Sequence, residues 1–158
     1  STLTIHDLHE EIEQRGHRHH AVVHERRRQR CNAAVAAQLG LATGDSAFHT
    51  VLVHHENGVP VQVEDRWVNP ACIPGYLDHD FTTTTPTQVL FETTELWRAD
   101  YTIEATRATP HESLLLQIDA DAPCLVVTRR THARTATITL ARLVHPGSRW
   151  QLQGDFQP

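Results

Sequence analysis

Arg142 is the first residue whose setting points to chemistry. In the run ITLARLV, strand alternation places its side chain on one face with Ile138, Leu140 and Val144. A guanidinium held among apolar neighbours needs an anion. Two partners are open: an acidic side chain in a structural ion pair, or the carboxylate of a ligand, which suits the planar fork of arginine.

A second polar group lies in the run VQVEDRW. Gln62, Glu64 and Arg66 are spaced two apart, so a strand would place all three side chains on one face. One interpretation is that they converge on a ligand. The other is that they form the solvated face of a sheet.

Thirteen histidines raise the question of a metal site. The spacings that supply tetrahedral nitrogen and sulfur ligands are missing from the sequence, so we expect no metal. His17 and His19 alternate with arginine and are expected at an exposed loop or strand edge, and the RRRQR cluster is expected to be a solvated basic patch.

The sequence also lacks the GxSxG, P-loop, GxGxxG and HExxH patterns of common catalytic sites. Glu64 and Glu104 could form an acid/base pair, but their spacing does not fix the distance between them. We therefore expect a binding protein that uses no cofactor, not an enzyme.

Composition indicates one soluble domain. The 158 residues carry a formal charge of −5, which disfavours a nucleic-acid surface, and three widely spaced cysteines suggest reduced thiols. The sequence shows neither a signal peptide nor an apolar run of roughly 20 residues that would span a bilayer. These features predict a cytoplasmic protein without membrane contact.

The hydrophobic pattern predicts an α+β fold. A first helix over residues 5–15, with Thr4 as cap and Gly16 as end, precedes a strand and a short helix capped by Asn32. Two β-rich runs around Glu56-Asn57-Gly58 predict a hairpin, whose loop is either a two-residue Asn-Gly turn or a three-residue loop with a glycine bulge. The remaining predicted elements are a loop (70–86), a helix (87–95), a strand (99–106), a helix (110–118) and three closing strands (123–132, 137–145 and 149–153).

Six blocks of sequence carry a family resemblance: LHEEIEQRGHRH, FHTVLVHHENGVPVQVEDRWVNP, DFTTTTPTQVL, IEATRAT, APCLVVTRRT and ARLVHPGSRWQLQGDF. Taken in this order, they resemble the UTRA effector domain of GntR-type transcription regulators. The resemblance covers nearly the whole chain, and EDRWVNP, TPT and ARLVHPGSRW are more similar to the branch that represses histidine-utilisation genes than to the sugar-phosphate sensors.

This resemblance implies a chorismate-lyase-like antiparallel sheet of about six strands flanked by short helices. It also implies that residues 1–158 are a ligand-sensing domain, that the regulator is a homodimer, and that DNA contact is made by an amino-terminal winged helix outside this chain. The implied effector is urocanate, whose binding would release the repressor from DNA.

The resemblance also nominates individual positions. Two arginines of the sugar-phosphate sensors fall at Leu52 and His54, which argues against a phosphate pocket, whereas their carboxylate is matched by Glu64. These side chains share a face with Gln62 and Arg66 only if the hairpin loop is the three-residue bulged kind. Further family positions, each a departure from the family residue, fall at Thr85, Thr87, Thr139 and His145.

Urocanate joins an imidazole ring to an acrylate, so its receptor needs a cation and hydrogen-bonding groups for the ring. We expect Arg142 or Arg66 to hold the carboxylate, Glu64 or His54 to bind the ring, and Thr85 with Thr87 to donate hydrogen bonds. The alternatives are an enzyme resembling chorismate lyase, a sensor of another small carboxylate or sugar phosphate, and a domain that only dimerises its parent regulator.

Overall fold

The computed structural model describes residues 6–158, which form one six-stranded antiparallel sheet with short helices on both faces. In space the strands follow the order β1-β2-β3-β6-β5-β4, so β1 and β4 are the two edges. The α+β prediction is confirmed. The strands are β1 (His19–Arg30), β2 (Ser46–Glu56), β3 (Val59–Val68), β4 (Arg98–Arg107), β5 (Pro123–His132) and β6 (Thr137–Pro146).

Four short α-helices precede or connect these strands, and a polar side chain caps the start of each one. The oxygens of Asp7, Asn32, Thr85 and Thr109 accept hydrogen bonds from backbone N–H groups in the first turns. The helices are α1 (Leu8–Gln14), α2 (Ala33–Leu39), α3 (Pro86–Thr93) and α4 (Pro110–Leu116). None of the helices within residues 6–158 is both long and apolar enough to cross a membrane.

The two faces of the sheet have separate cores. On one face α2 and α4 pack against clusters that include Leu39, Val63 and Leu116. On the other face α3 and the loop before it pack through Leu90 and Phe81. Alternation along each strand therefore decides which layer a side chain meets.

Two details of the predicted elements are wrong at the chain ends. The first helix begins later than predicted, because Asp7 supplies its cap; the predicted cap Thr4 lies outside the described residues. Residues 149–153 form no strand. Instead, the Arg149 guanidinium donates to the carbonyls of Pro60 and Leu116 at 2.8 and 2.7 Å, which fixes this segment against the hairpin end of the sheet.

The hairpin has a two-residue turn, so the three-residue loop expected from the resemblance is wrong. Glu56 pairs with Val59, and both Asn57 and Gly58 have positive φ, at 49° and 80°. A bulge at Val61 then shifts the register by one residue. Consequently the side chains that were expected to share a face with Glu64 still share it, but the bulge aligns them and not the hairpin loop.

Gly58 is where this turn most needs glycine, because an L side chain at φ +80° is strained although a Cβ there meets no atom within 4 Å. We expect Gly58→Ala to lower the free energy of unfolding by about 1–2 kcal/mol. Urea titration measures this. Gly154→Ala, at a glycine without positive φ, is the control, and equal stability of the two variants would refute the turn assignment.

Candidate functional site

A cavity with an empty volume of about 740 Å³, partly open to solvent, lies on the sheet face that carries Glu64. The sheet forms its floor, and α1 with the start of α3 forms its roof. The floor is built from three rows of side chains that run across the strands.

The first row contains two arginines separated by alanine. Arg66 on β3 and Arg129 on β5 are both register partners of Ala141 on β6. Thr50 pairs with Arg66 at one end of the row, and Tyr101 pairs with Arg129 at the other. Because neighbouring strands are about 4.8 Å apart, the two arginine backbones are roughly 10 Å apart.

The second row is charged at one position and apolar elsewhere. Glu64 pairs with Leu52 on one side and with Leu143 on the other. Val127 and Ile103 continue the row on β5 and β4. All of these side chains except Leu52 line the cavity, so the centre of its floor is mainly hydrophobic.

The third row carries hydrogen-bonding groups for a ring. His54 pairs with Gln62, whose amide lies 2.9 Å from Nε2 of His145. Nδ1 of His145 lies 3.1 Å from the carbonyl of Leu125. Since that carbonyl can only accept, Nδ1 carries the hydrogen and Nε2 accepts from Gln62. Trp150 stacks on His145 with ring centres 4.0 Å apart.

Glu64 joins the first and third rows through a buried ion pair. One carboxylate oxygen accepts from Nε of Arg66 and the other from Nε2 of His54, both at 2.8 Å. Burial alone would raise the pKa of Glu64, but Arg66 and His54 outweigh it and lower that pKa to about 2. Burial acts to lower the pKa of Arg66, but Glu64 and Tyr76 together raise it. Glu64 is therefore an ionised acceptor, and Arg66 remains charged.

Two arginine nitrogens of the first row have no hydrogen-bond partner within the described residues. Nη1 of Arg66 donates to Thr139 at 3.2 Å, but its buried Nη2 and the buried Nε of Arg129 are unpaired. Burial and the charge of Arg66 lower the pKa of Arg129 to about 10. Buried donors without acceptors are costly, so this row is suited to an anion.

Three imidazoles connect Glu64 to the protein surface. Nδ1 of His54 lies 2.8 Å from Nε2 of His19, whose Nδ1 lies 2.9 Å from Nδ1 of His9 on α1. The Glu64 carboxylate can only accept a hydrogen bond. When the three imidazoles are neutral, each ring therefore directs its N–H towards Glu64. His19, predicted to be exposed, is instead partly buried, and burial followed by the charge of His54 lowers its pKa to about 3.

The two parts of the roof, α1 and the start of α3, are joined through their helix caps. Asp7, which caps α1, accepts a 2.9 Å hydrogen bond from the Thr85 hydroxyl. Thr85 in turn caps α3 by accepting from the backbone of Gln88. Thr87 is buried in the first turn of α3 and also lines the cavity. The two threonines therefore face the cavity, but Thr85 already has partners for its hydroxyl.

The structure brings seven of the eight predicted site residues to this one cavity and places Arg142 elsewhere. The seven are His54, Gln62, Glu64, Arg66, Thr85, Thr87 and His145.

Arg142 projects from the opposite face, where Nε and Nη2 donate to Glu112 at 2.9 and 3.1 Å. Its side chain is 38% exposed, so the expectation of a guanidinium buried among apolar neighbours is wrong. Arg142 has the protein partner that the ion-pair interpretation allowed. It is too far from the cavity floor to hold a ligand there, because strand alternation directs it to the other layer.

Sequence reasoning missed Arg129 and Trp150. Arg129 was detectable, because it alternates with Val127 and Thr131 in VVTRRT in the same way that Arg142 does in its own strand. Trp150 gave no comparable signal. It follows β6 in an irregular segment whose position depends on the contacts of Arg149 with distant carbonyls.

Comparison with known proteins then identifies the family. Residues 14–151 match the family model described as the UTRA domain. The chain belongs to the UTRA family. Histidine utilization repressors of Pseudomonas putida and Klebsiella aerogenes are 42% and 43% identical to it, over 96% and 92% of this chain. The chain spans 61% of the length of these curated relatives.

Solved structures agree with this assignment to the UTRA family. The C-terminal domain of the histidine utilization repressor from Pseudomonas syringae pv. tomato has a TM-score of 0.87 and 41% identity, covering 89% of this chain and 100% of that one. PhnF from Mycobacterium smegmatis shares the fold, with a TM-score of 0.88 at 18% identity, covering 99% of this chain and 71% of that one. The curated relatives are named as repressors, that is, as regulators and not as enzymes.

The buried imidazole of His145 should make stability depend on pH. Burial lowers its pKa from 6.5 to about 4. Between these pH values the unfolded chain binds a proton that the folded protein excludes, so the free energy of unfolding decreases as the pH is lowered, by up to about 1.4 kcal/mol per pH unit from this residue. Urea unfolding of His145→Gln should show a shallower fall from pH 6.5 to 4, whereas the exposed control His111→Gln should match the parent. An unchanged slope in His145→Gln would contradict this assignment.

Proposed function

We propose that this UTRA domain is the effector-binding part of a repressor of histidine-utilisation genes and that its effector is urocanate. The observation that carries the proposal is the polarity of the cavity floor. Unpaired nitrogens of Arg66 and Arg129 lie at one end, and the hydrogen-bonding groups of His54, Gln62 and His145 lie at the other. A planar imidazole with a carboxylate has the same two ends.

The arginine row supplies the cation for the acrylate carboxylate. Nη2 of Arg66 and Nε of Arg129 are buried donors, and charge-assisted hydrogen bonds to a carboxylate contribute about 1.5–3 kcal/mol each. Arg66 is held by Glu64 and Thr139, so it needs little rearrangement when a ligand arrives. This preorganisation favours binding.

The third row supplies groups for the ring. A urocanate N–H can donate to the ionised Glu64 beside His54, and the flat surface of His145 with Trp150 provides an aromatic wall. Leu143, Val127 and Ile103 lie between the two polar rows and suit the uncharged vinyl spacer. The apolar centre disfavours sugar phosphates, whose hydroxyls would lose hydrogen bonds to water there.

Regulation requires that effector binding differ between two states of the longer protein, because a ligand shifts an equilibrium only by its differential affinity. We assign DNA contact to a winged-helix domain outside residues 1–158 and homodimerisation to the regulator as a whole. Ordering of the Thr82–Thr87 loop, next to the Asp7–Thr85 contact, is the part of the switch that this domain would contribute.

A thermal-shift screen tests the effector. Urocanate should raise the unfolding temperature in a concentration-dependent way, and calorimetry should give affinity near micromolar, about −8 kcal/mol. Histidine, imidazolepropionate, chorismate and a sugar phosphate are the comparison ligands. A larger shift with a sugar phosphate than with urocanate would overturn the effector assignment, and conversion of chorismate to product would favour the enzyme.

Two arginine variants test which face of the sheet binds the ligand. We expect Arg129→Gln to weaken urocanate binding at least tenfold, because one charged donor is lost. Arg142→Gln is the matched control, since it removes the same charge on the opposite face, and its affinity should equal that of the parent. Calorimetry on both folded variants decides. Weakening only in Arg142→Gln would contradict the site.

A further inference from the structure

We propose that Ala141 is the specificity-determining residue of this site and that the gap above it, between Arg66 and Arg129, is a subsite for one planar carboxylate. This inference rests on the proposed function only in one respect: it takes the arginine row as the place where the acidic end of the ligand binds. Ala141 is fully buried and pairs directly with both arginines across the sheet. On the two arginines that flank this small residue, Nη2 of Arg66 and Nε of Arg129 are buried without a hydrogen-bond partner among the described residues.

The charge of the floor selects a monoanion. Arg66 and Arg129 carry two positive charges, and the ionised Glu64 of the neighbouring row cancels one of them. One positive charge therefore remains on the floor at the gap. A monocarboxylate neutralises it, whereas a phosphate dianion would leave an unpaired negative charge beside Glu64, which is unfavourable in a buried site.

The roof does not change this selection. Its carboxylates belong to α1, where Asp7 already accepts from the Thr85 hydroxyl and from the backbone of His9. Glu11, also on α1, acts to raise the pKa of Arg129, but less than Glu64 does. The floor is thus the part of the cavity with uncommitted cationic donors, and α1 limits access to them.

The size of the side chain at position 141 determines which ligand group fits between the two arginines. Side chains directly opposite each other on neighbouring strands have Cβ atoms about 4.5–5.5 Å apart. A planar carboxylate lies between the two guanidinium groups only if the residue below it contributes no more than a methyl group. Larger side chains at position 141 would fill the subsite from below, and an acidic one would act as a built-in carboxylate.

Paired variants of Ala141 test the subsite without any ligand. Ala141→Asp places a carboxylate between the arginines, and Ala141→Asn is its uncharged match in size. We expect the Asp variant to unfold at a higher temperature than the Asn variant at pH 7, by roughly 3 °C or more. The difference should disappear in acid, when the new carboxyl is protonated. An Asp variant less stable than the Asn variant at pH 7 would overturn the proposal, since a carboxylate buried without cations is destabilising.

A second measurement uses the unaltered floor, so it decides even if both variants fail to fold. Sodium formate should raise the unfolding temperature of the parent chain above that in sodium chloride at equal concentration, and Arg129→Gln should lose this increment. Equal increments in the parent and the variant would refute the subsite. If formate but not urocanate raises the unfolding temperature, the carboxylate subsite is supported and urocanate is rejected as effector. If urocanate raises it but formate gives equal increments in the parent and in Arg129→Gln, the subsite is rejected and urocanate is supported.

Discussion

The buried ion pair between Glu64 and Arg66 constrains the rest of this site. Both residues lie on β3, two positions apart, and both are almost completely shielded from water. Charges in such a place must be paired, and the remaining oxygen of Glu64 is accordingly taken by His54 and one nitrogen of Arg66 by Thr139. The pair therefore fixes the orientations of the polar side chains before a ligand arrives. The floor is rigid because its own electrostatics require it.

Alternation along the strands made much of this predictable. A period of two identifies Gln62, Glu64 and Arg66 as a set in the sequence. The Asn57-Gly58 pair predicts the hairpin, and both residues have positive φ in the structure. Period alone cannot say which face meets which layer. The run 138–145 is nearly buried on both faces, so Arg142 had the same pattern as a pocket residue although it meets α4. The bulge at Val61 and the position of Trp150 depend on contacts between distant segments, which no local pattern encodes.

Differences from the sugar-phosphate sensors concern the same network. At positions where the resemblance places two arginines, this chain has Leu52 and His54, and near the position of a family glutamate it has Thr139. Threonine is a neutral acceptor, so Nη2 of Arg66 keeps no partner in the described part of the chain, whereas a glutamate there would add a second carboxylate beside Arg66. With fewer cations on β2 and one unpaired guanidinium nitrogen on β3, the pocket can balance less negative charge. The changes are consistent with a smaller, singly charged ligand.

The central claim is that this buried network, extended by Arg129, holds the acidic end of the effector. A crystal structure of the chain with urocanate tests it most directly. The account predicts the carboxylate within hydrogen-bond distance of Nη2 of Arg66 and Nε of Arg129, above Ala141, with the ring beside Glu64 and His145. A carboxylate bound by Arg142, or a ligand outside the cavity with the floor unchanged, would contradict it.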